Sequence, residues 1–361
     1  MSNRWHVALL LLGLAFLVWL IGNIGLGEVW RQLTALGWGI VPLLLGEGLA
    51  ELIHTMGWRR CLSAAHRKLS FFHLFRIRMA GYAINYITPT AALGGEISRA
   101  GLLASVAPGP DAACGVLVDK ACFAVGHLAI VVAGSIYILW RVPLSPALRL
   151  AMMIAIGPLA LGIVAFVGLQ RYGKLGALVR WMAARPWGGK KLRSAAVQIT
   201  LLDNTFRDFY RERPGDFGIS VCWHLVGFSV GIAQTWLFLT LVRQPPPIAA
   251  AATAWILGLW FDLLSFAIPM NVGALEGSRV VAFKTLGYDA AQGATFGLTM
   301  RMAQVCWTVF GLASYALLLR QQTIRGPSAE TQRAEEGRRK TIHPETNTRG
   351  PHAFPAQSRR A

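Results

Sequence analysis

The sequence predicts an all-α polytopic membrane protein with about six full spans and two re-entrant helical hairpins that form an inverted repeat. Three observations carry this. More than half of the 361 residues are hydrophobic and only 14% are charged, and several apolar runs approach the roughly 20 residues that cross a bilayer core. Basic residues collect in separate loops between those runs. One polar stretch, ITPTAALGGEISR at residues 87–99, has a counterpart in AIPMNVGALEGSR at residues 267–279.

The spans follow in order. Val7–Leu26, preceded by Arg4, is longer than a signal-peptide core of about 7–15 residues, and no small-residue cleavage site follows promptly. It therefore reads as the first span. With the amino terminus in the cytoplasm, Gly27–Gly37 stays outside. Trp38–Trp58 then returns the chain to a basic loop holding Arg59, Arg60, Arg67, Lys68, Arg76 and Arg78. Ala112–Trp140 and Leu148–Leu169, joined by RVPLSP, lead to a second basic stretch from Arg171 to Arg213. Both basic loops belong on the cytoplasmic side, so Phe71–Leu103 must enter and leave there. Phe217–Val242 crosses outward, RQPPP (243–247) turns, and Ala290–Arg320 returns to a basic tail. Ile248–Gly287 must then enter and leave from outside.

The expected organisation is a transmembrane domain over 1–320, with repeat 1 at about 71–140 and repeat 2 at about 248–320. Ala195–Arg211 places Ile199, Leu202, Phe206 and Phe209 at helical spacing, which predicts an amphipathic helix on the cytoplasmic interface. Residues 321–361 lack an apolar period and read as a disordered basic cytoplasmic tail. Both termini are expected in the cytoplasm of a bacterial inner membrane.

Set over each other, Pro89–Arg99 and Pro269–Arg279 match without a gap at the proline, glutamate, serine and arginine: Pro89/Pro269, Glu96/Glu276, Ser98/Ser278 and Arg99/Arg279. DAACG at 111–115 matches DAAQG at 289–293, and Lys120 falls near Arg301. Non-helical backbone at membrane depth is tolerated only where protein or a water-filled cavity covers it. Pro89 would end one half-helix, and Gly94 and Gly95 would let the next begin close by.

Charges at that depth cost at least about 2.5–3.5 kcal/mol each and need partners or a use. The candidates are Glu96, Arg99, Asp119, Lys120, Glu276, Arg279 and Arg301, with Glu47, Glu51 and His54 as a lesser group. Glu96 could pair with Arg99 and Glu276 with Arg279, three residues apart on one helix face. Crossed pairs, Glu96 with Arg279 and Glu276 with Arg99, are the alternative. Either leaves Lys120 and Arg301 in surplus, a net-cationic cavity suited to an anionic, phosphate-bearing lipid headgroup. Half-helix amino termini near Gly94 and Gly273 would add N–H donors. The plainer reading is that these ions lock the hairpins against the bundle.

Basic clusters that flank apolar spans argue for anionic lipid rather than nucleic acid as partner. Cys61, Cys114, Cys122, Cys222 and Cys306 show no metal or redox spacing and read as reduced packing residues. HExxH, GxSxG and a complete Walker A loop are absent, so no metal, cofactor, ATP hydrolysis or other enzymatic activity is expected. His127 and His224, single histidines in apolar spans, read as hydrogen-bonded packing residues rather than ligands. Gly227–Gly231 and Gly293–Gly297 read as close helix contacts.

LGGEISRAGLL followed by VLVDKACF, and AIPMNVGALEGSR followed by LGYDAAQGATFGLTMRMAQ, resemble the lysylphosphatidylglycerol synthase transmembrane, flippase-like family over roughly residues 5–320. The resemblance implies functional positions at Pro89, Gly95, Glu96, Arg99, Asp119, Lys120, Pro269, Gly273, Glu276 and Arg301; Arg279 rests on the internal repeat alone. Members fused to an aminoacyltransferase make and translocate aminoacylated phosphatidylglycerol. With only a short tail after the last span, this chain is expected to be similar to stand-alone members, some of which accompany hopanoid synthesis. The expected function is movement of a phospholipid, polyprenyl-linked lipid or hopanoid between leaflets, with lipid-biosynthesis enzymes as candidate partners. A headgroup-modifying membrane enzyme and a scaffold for a lipid-synthesis complex are the alternatives.

The topology has a direct test. Single cysteines replacing Ala92 and Val272, in a background without native cysteines, are expected to label from opposite sides of the membrane. Labelling of both from one side would refute inverted hairpins.

Overall fold

Long apolar runs build long helices here, one of which carries Pro158 in its interior. The structure, a computed structural model, describes Trp19, Gly22 and residues 25–88, 94–107, 110–185, 189–242, 246–264 and 272–325. Most of the expected first span, both motif prolines (Pro89 and Pro269) and the tail beyond 325 lie outside these residues. The described elements are α1 (Leu26–Leu36), a 3-10 turn (Gly37–Gly39), α2 (Ile40–Cys61), α3 (Ala64–Arg67), α4 (Phe71–Ile87), α5 (Gly94–Ala104) and α6 (Pro110–Arg141). They continue with α7 (Pro146–Arg171), α8 (Leu175–Ala183), α9 (Lys190–Glu212), α10 (Pro214–Leu241), α11 (Ile248–Leu264), α12 (Ala274–Thr285) and α13 (Ala290–Arg325). No strand occurs among the described residues.

Five stretches are long and apolar enough to cross a membrane: Leu26–Cys61, Pro110–Arg141, Pro146–Arg171, Pro214–Leu241 and Ala290–Gln321. They coincide with the five spans expected after the first, and the chain is an α-helical, polytopic membrane protein. The sequence sets where several helices begin. Ser70 and Ser145 accept the backbone N–H of His73 and Leu148, supplying donors of the first turn with partners. Pro146 and Pro214 sit in first turns, where a missing N–H costs nothing.

Two helices form the spine. Gly39 lies against Leu241, Gly46 against Gln234, and Gly57 against His224, so α2 and α10 run antiparallel along their lengths. Trp58, Cys61 and Leu62, at one end of α2, pack in one apolar cluster with Leu102, Leu103, Ala112 and Cys114. At the other end, Leu36 and Leu43 pack with Phe238, Phe283 and Phe296.

These clusters fix how the short helices run. Arg78 and Tyr82 reach Glu51 and Glu47, so α4 runs antiparallel to α2, away from the Cys61 end. The His66 ring meets the Leu103 carbonyl, and Gly115 packs on Leu62, so α5 comes back to that same end. Phe283 and Tyr288 meet beside Phe238, so α12 finishes at the opposite end, near where α10 stops. The two series also match in size: 17, 11 and 32 residues for α4, α5 and α6, against 17, 12 and 36 for α11, α12 and α13.

The two basic stretches meet. Asp216 accepts from Arg67 at 2.5 Å and from Arg213 at 2.9 Å, with Arg60 at 3.7 Å. Arg67 and Arg213 both also bond the Leu62 carbonyl. The loops that follow α2 and precede α10 therefore lie at one end of the bundle, as the charge count required.

One expectation is corrected. The apolar stripe of α9 does not face lipid: Leu202, Phe206 and Phe209 are buried in the cluster around Trp58 and Leu175. Asp203, off that stripe, is itself buried and accepts the Gly176 N–H at the start of α8. Docking the stripe on protein removes it from water as fully as an interface would.

The chain divides into two compact units, Met1–Leu318 and Leu319–Ala361; the described part of the second is the end of α13. Both GxxxG spacings mark contacts inside the chain, Gly227 against His54 and Gly293 against the Arg279 backbone. At Gly311 an added Cβ would sit 2.2 Å from the Met79 carbonyl. Gly311→Ala is expected to lower stability by about 1–3 kcal/mol through overpacking, read as a lower melting temperature in detergent.

Candidate functional site

α2 presents Glu47, Glu51, His54 and Trp58 at helical spacing. Glu47 lies fourteen residues from Cys61, about 21 Å along the helix axis at 1.5 Å per residue, deep within a span. Together with α4, α5, α6 and Gln304 of α13 this face lines an open cavity of about 330 Å³. Its wall includes Glu47, Glu51, Arg78, Tyr82, Asn85, Tyr86, Glu96, Arg99, Asp119, Lys120 and Gln304.

Asp119 is the hub. Its carboxylate accepts from Arg99 at 2.7 Å, from Arg78 at 3.2 Å and from the His224 ring at 3.1 Å. Arg78 continues to Glu51 at 2.5 Å, and Arg99 lies 4.1 Å over the Trp58 ring, a favourable cation–π seat. His224 meets His54 at 2.8 Å between Nδ1 atoms. With His224 neutral and donating from Nε2 to Asp119, its Nδ1 must accept, so His54 carries its proton on Nδ1.

Beside the hub, Lys120 donates to Glu96 at 2.9 Å, and Asn85 donates to the same carboxylate at 3.1 Å. Asn85 also accepts the Gly95 N–H at 2.7 Å, capping α5 from α4. Gly95 is needed there for close approach: a Cβ on it would lie 2.2 Å from the Gly81 carbonyl.

A second cluster forms in the later helices. Arg301 grips Glu276 with Nε at 2.7 Å and Nη2 at 3.0 Å, and Glu276 accepts the Gly273 N–H at 3.0 Å. Gly273 has φ +75°, a left-handed backbone that favours glycine. Arg279 is buried beside Trp255 and Gly258 and donates to Ser278. Tyr86, on the cavity wall, also bonds Arg301 at 3.2 Å and so joins the two clusters.

Several sequence expectations change. Neither pairing scheme forms: Glu96 takes Lys120, Arg99 takes Asp119, and Glu276 takes Arg301. Arg99 packs against Gly81 and over Trp58 and pairs with Asp119 rather than with Glu96. Glu276, Arg279 and Arg301 are not part of the described cavity wall. Nor is that wall net cationic, because Glu47 and Glu51 bring its carboxylates to four against Arg78, Arg99 and Lys120.

Arg78, expected among the loop anchors, is 6% exposed. His224, expected as a hydrogen-bonded packing residue, has the Asp119 carboxylate as its partner. Gly94 contributes a carbonyl to Ser98, and Glu96, Arg99, Asp119 and Lys120 line the cavity from α5 and α6.

The site is thus a set of buried ion networks around a polar cavity inside a bundle of membrane-spanning helices. The chain belongs to the lysylphosphatidylglycerol synthase TM region family, whose model matches residues 5–313. No curated protein and no solved structure matches it. Family membership ties the chain to lipid handling.

Arg78→Ala would leave Glu51 without its cation and Asp119 with one fewer. The expected loss is roughly 3–5 kcal/mol of stability, measured by denaturation in detergent. Arg78→Lys is expected to recover part of this, since it can pair with one carboxylate but not hold both in a fork.

Proposed function

We propose that the chain is a transporter of a bacterial inner membrane that moves a phospholipid, polyprenyl-linked lipid or hopanoid between leaflets without chemically altering it. On this reading α4–α5 and α11–α12 are re-entrant hairpins of an inverted repeat, and rocking about them gives alternating access. Pro89, Gly95, Glu96, Arg99, Asp119 and Lys120 belong to the substrate path of the first half. Pro269, Gly273, Glu276, Arg279 and Arg301 belong to that of the second.

The observation that carries the reading is the ion-lined cavity at span depth. Its volume falls in the range of ligand sites, roughly 300–1,000 Å³, enough for a headgroup whose tails stay in lipid. Arg99 supports a phosphate-bearing headgroup: it is 6% exposed, lines the cavity and has a buried Nε with no hydrogen-bond partner. The opposite ends at which the two short-helix pairs begin and finish support the inverted arrangement.

Reconstitution into liposomes holding headgroup-labelled lipids tests the proposal. The wild-type chain is expected to speed exchange between leaflets, and Glu96→Gln and Arg99→Ala to slow it by about tenfold or more, the scale of losing one charge-assisted bond of roughly 1.5–3 kcal/mol. Exchange no faster than in empty liposomes, across anionic and prenyl-linked lipids, would sink it.

A further inference from the structure

The cavity charges do not balance, and the imbalance falls on one residue. Lys120 is matched to Glu96, Arg78 spans Glu51 and Asp119, and Arg99 joins Asp119. Glu47 is the carboxylate left over. It accepts the Tyr82 hydroxyl at 3.0 Å, and among the described residues no cation lies within ion-pair distance of it. Arg279, on α12, attracts it from farther off and is not part of the cavity wall.

The wall also holds a donor with spare capacity. Arg99 spends one Nη2 bond on Asp119, while its buried Nε has no hydrogen-bond partner. An anionic oxygen docking there enters a space where carboxylates already exceed cations, in surroundings that screen charge poorly. The added repulsion is relieved most cheaply by a proton on the carboxylate that no cation holds.

We propose that binding of a phosphate-bearing headgroup at Arg99 is linked to uptake of one proton by Glu47. The proposal rests on the lipid-transport reading and adds its coupling ion. The proton comes from water entering the cavity with the headgroup, adds to a Glu47 oxygen, and returns to water when the headgroup leaves.

The groups around Glu47 suit this role. Glu51, one turn away on α2, disfavours a second negative charge, although Arg78 offsets it. From α4, the Tyr82 hydroxyl donates to one carboxylate oxygen and leaves the other for the proton. Glu96 and Asp119, from α5 and α6, bring their own cations, Lys120 and Arg99. From α10, His224 is turned to Asp119; from α13, Arg301 is turned to Glu276 and Tyr86. A transmembrane proton gradient would then load the headgroup from the acid side and release it on the alkaline side.

Calorimetric titration of the full chain in detergent with dihexanoyl phosphatidylglycerol, in two buffers of different ionisation enthalpy, counts the protons. The expected result is about one proton taken up per lipid bound, with affinity falling up to about tenfold per pH unit on the alkaline side of the Glu47 titration. Glu47→Gln, which resembles the protonated acid, is expected to bind with no proton uptake and a flat pH profile. Wild-type binding without proton uptake, or uptake that persists in Glu47→Gln, would overturn the link and leave the lipid reading standing. Absence of binding by the wild-type chain would overturn both. If Glu47→Gln does not fold, the two-buffer comparison on the wild-type chain decides alone.

Discussion

Asp119 is the charge on which the arrangement turns. One carboxylate, 2% exposed, collects donors from α4, α5 and α10, and Trp58 of α2 lies beneath one of them. Each buried ion costs several kcal/mol in lost hydration, repaid only when geometry and hydrogen bonding are nearly complete. That demand is strict, since shifting any of these helices by a turn would strand at least one ion. The network supplies positional specificity to a bundle whose lipid-facing surfaces, such as most of α7, impose little.

The two charge clusters are built differently. In the first, Glu96 shares a cavity with Lys120 and Asn85. In the second, Glu276 is 1% exposed, held by Arg301 and the Gly273 N–H, with Gly297 packed on its backbone. Among the described residues, related motifs thus sit in an open setting in one half and a more deeply buried one in the other. Tyr86 touches both settings.

Much of the fold was legible because its signals are local. Apolar length locates the spans, serines and prolines mark helix starts, and loop charge predicts that the stretches around Arg67 and Arg213 share a side, which Asp216 then pins. Glu96, Arg99, Asp119 and Lys120 stood out because ions are rare in apolar sequence. Their partners did not, because partnership depends on how helices cross. Arg99 passes Gly81 to reach Asp119 on another helix, and no spacing rule within α5 could show that. Arg78 looked like a loop anchor because FRIR follows a basic loop, although its helix carries it inward. Glu47, Glu51 and His54 do announce a polar face by their spacing, and its two glutamates line the cavity. The stripe on α9 was read correctly as a stripe, but periodicity cannot say whether protein or lipid covers it.

The Asp119 hub also bears on how the chain is made. A helix entering the bilayer alone carries its charges unpaired, at a cost of roughly 2.5–3.5 kcal/mol for each, and α6 carries Asp119 and Lys120 side by side. Asp119 is therefore short of partners until α10 delivers His224, more than a hundred residues later in synthesis. The first half cannot reach its final electrostatic state before much of the second has been translated. Biogenesis, rather than the finished bundle, is where these ions are most exposed to error.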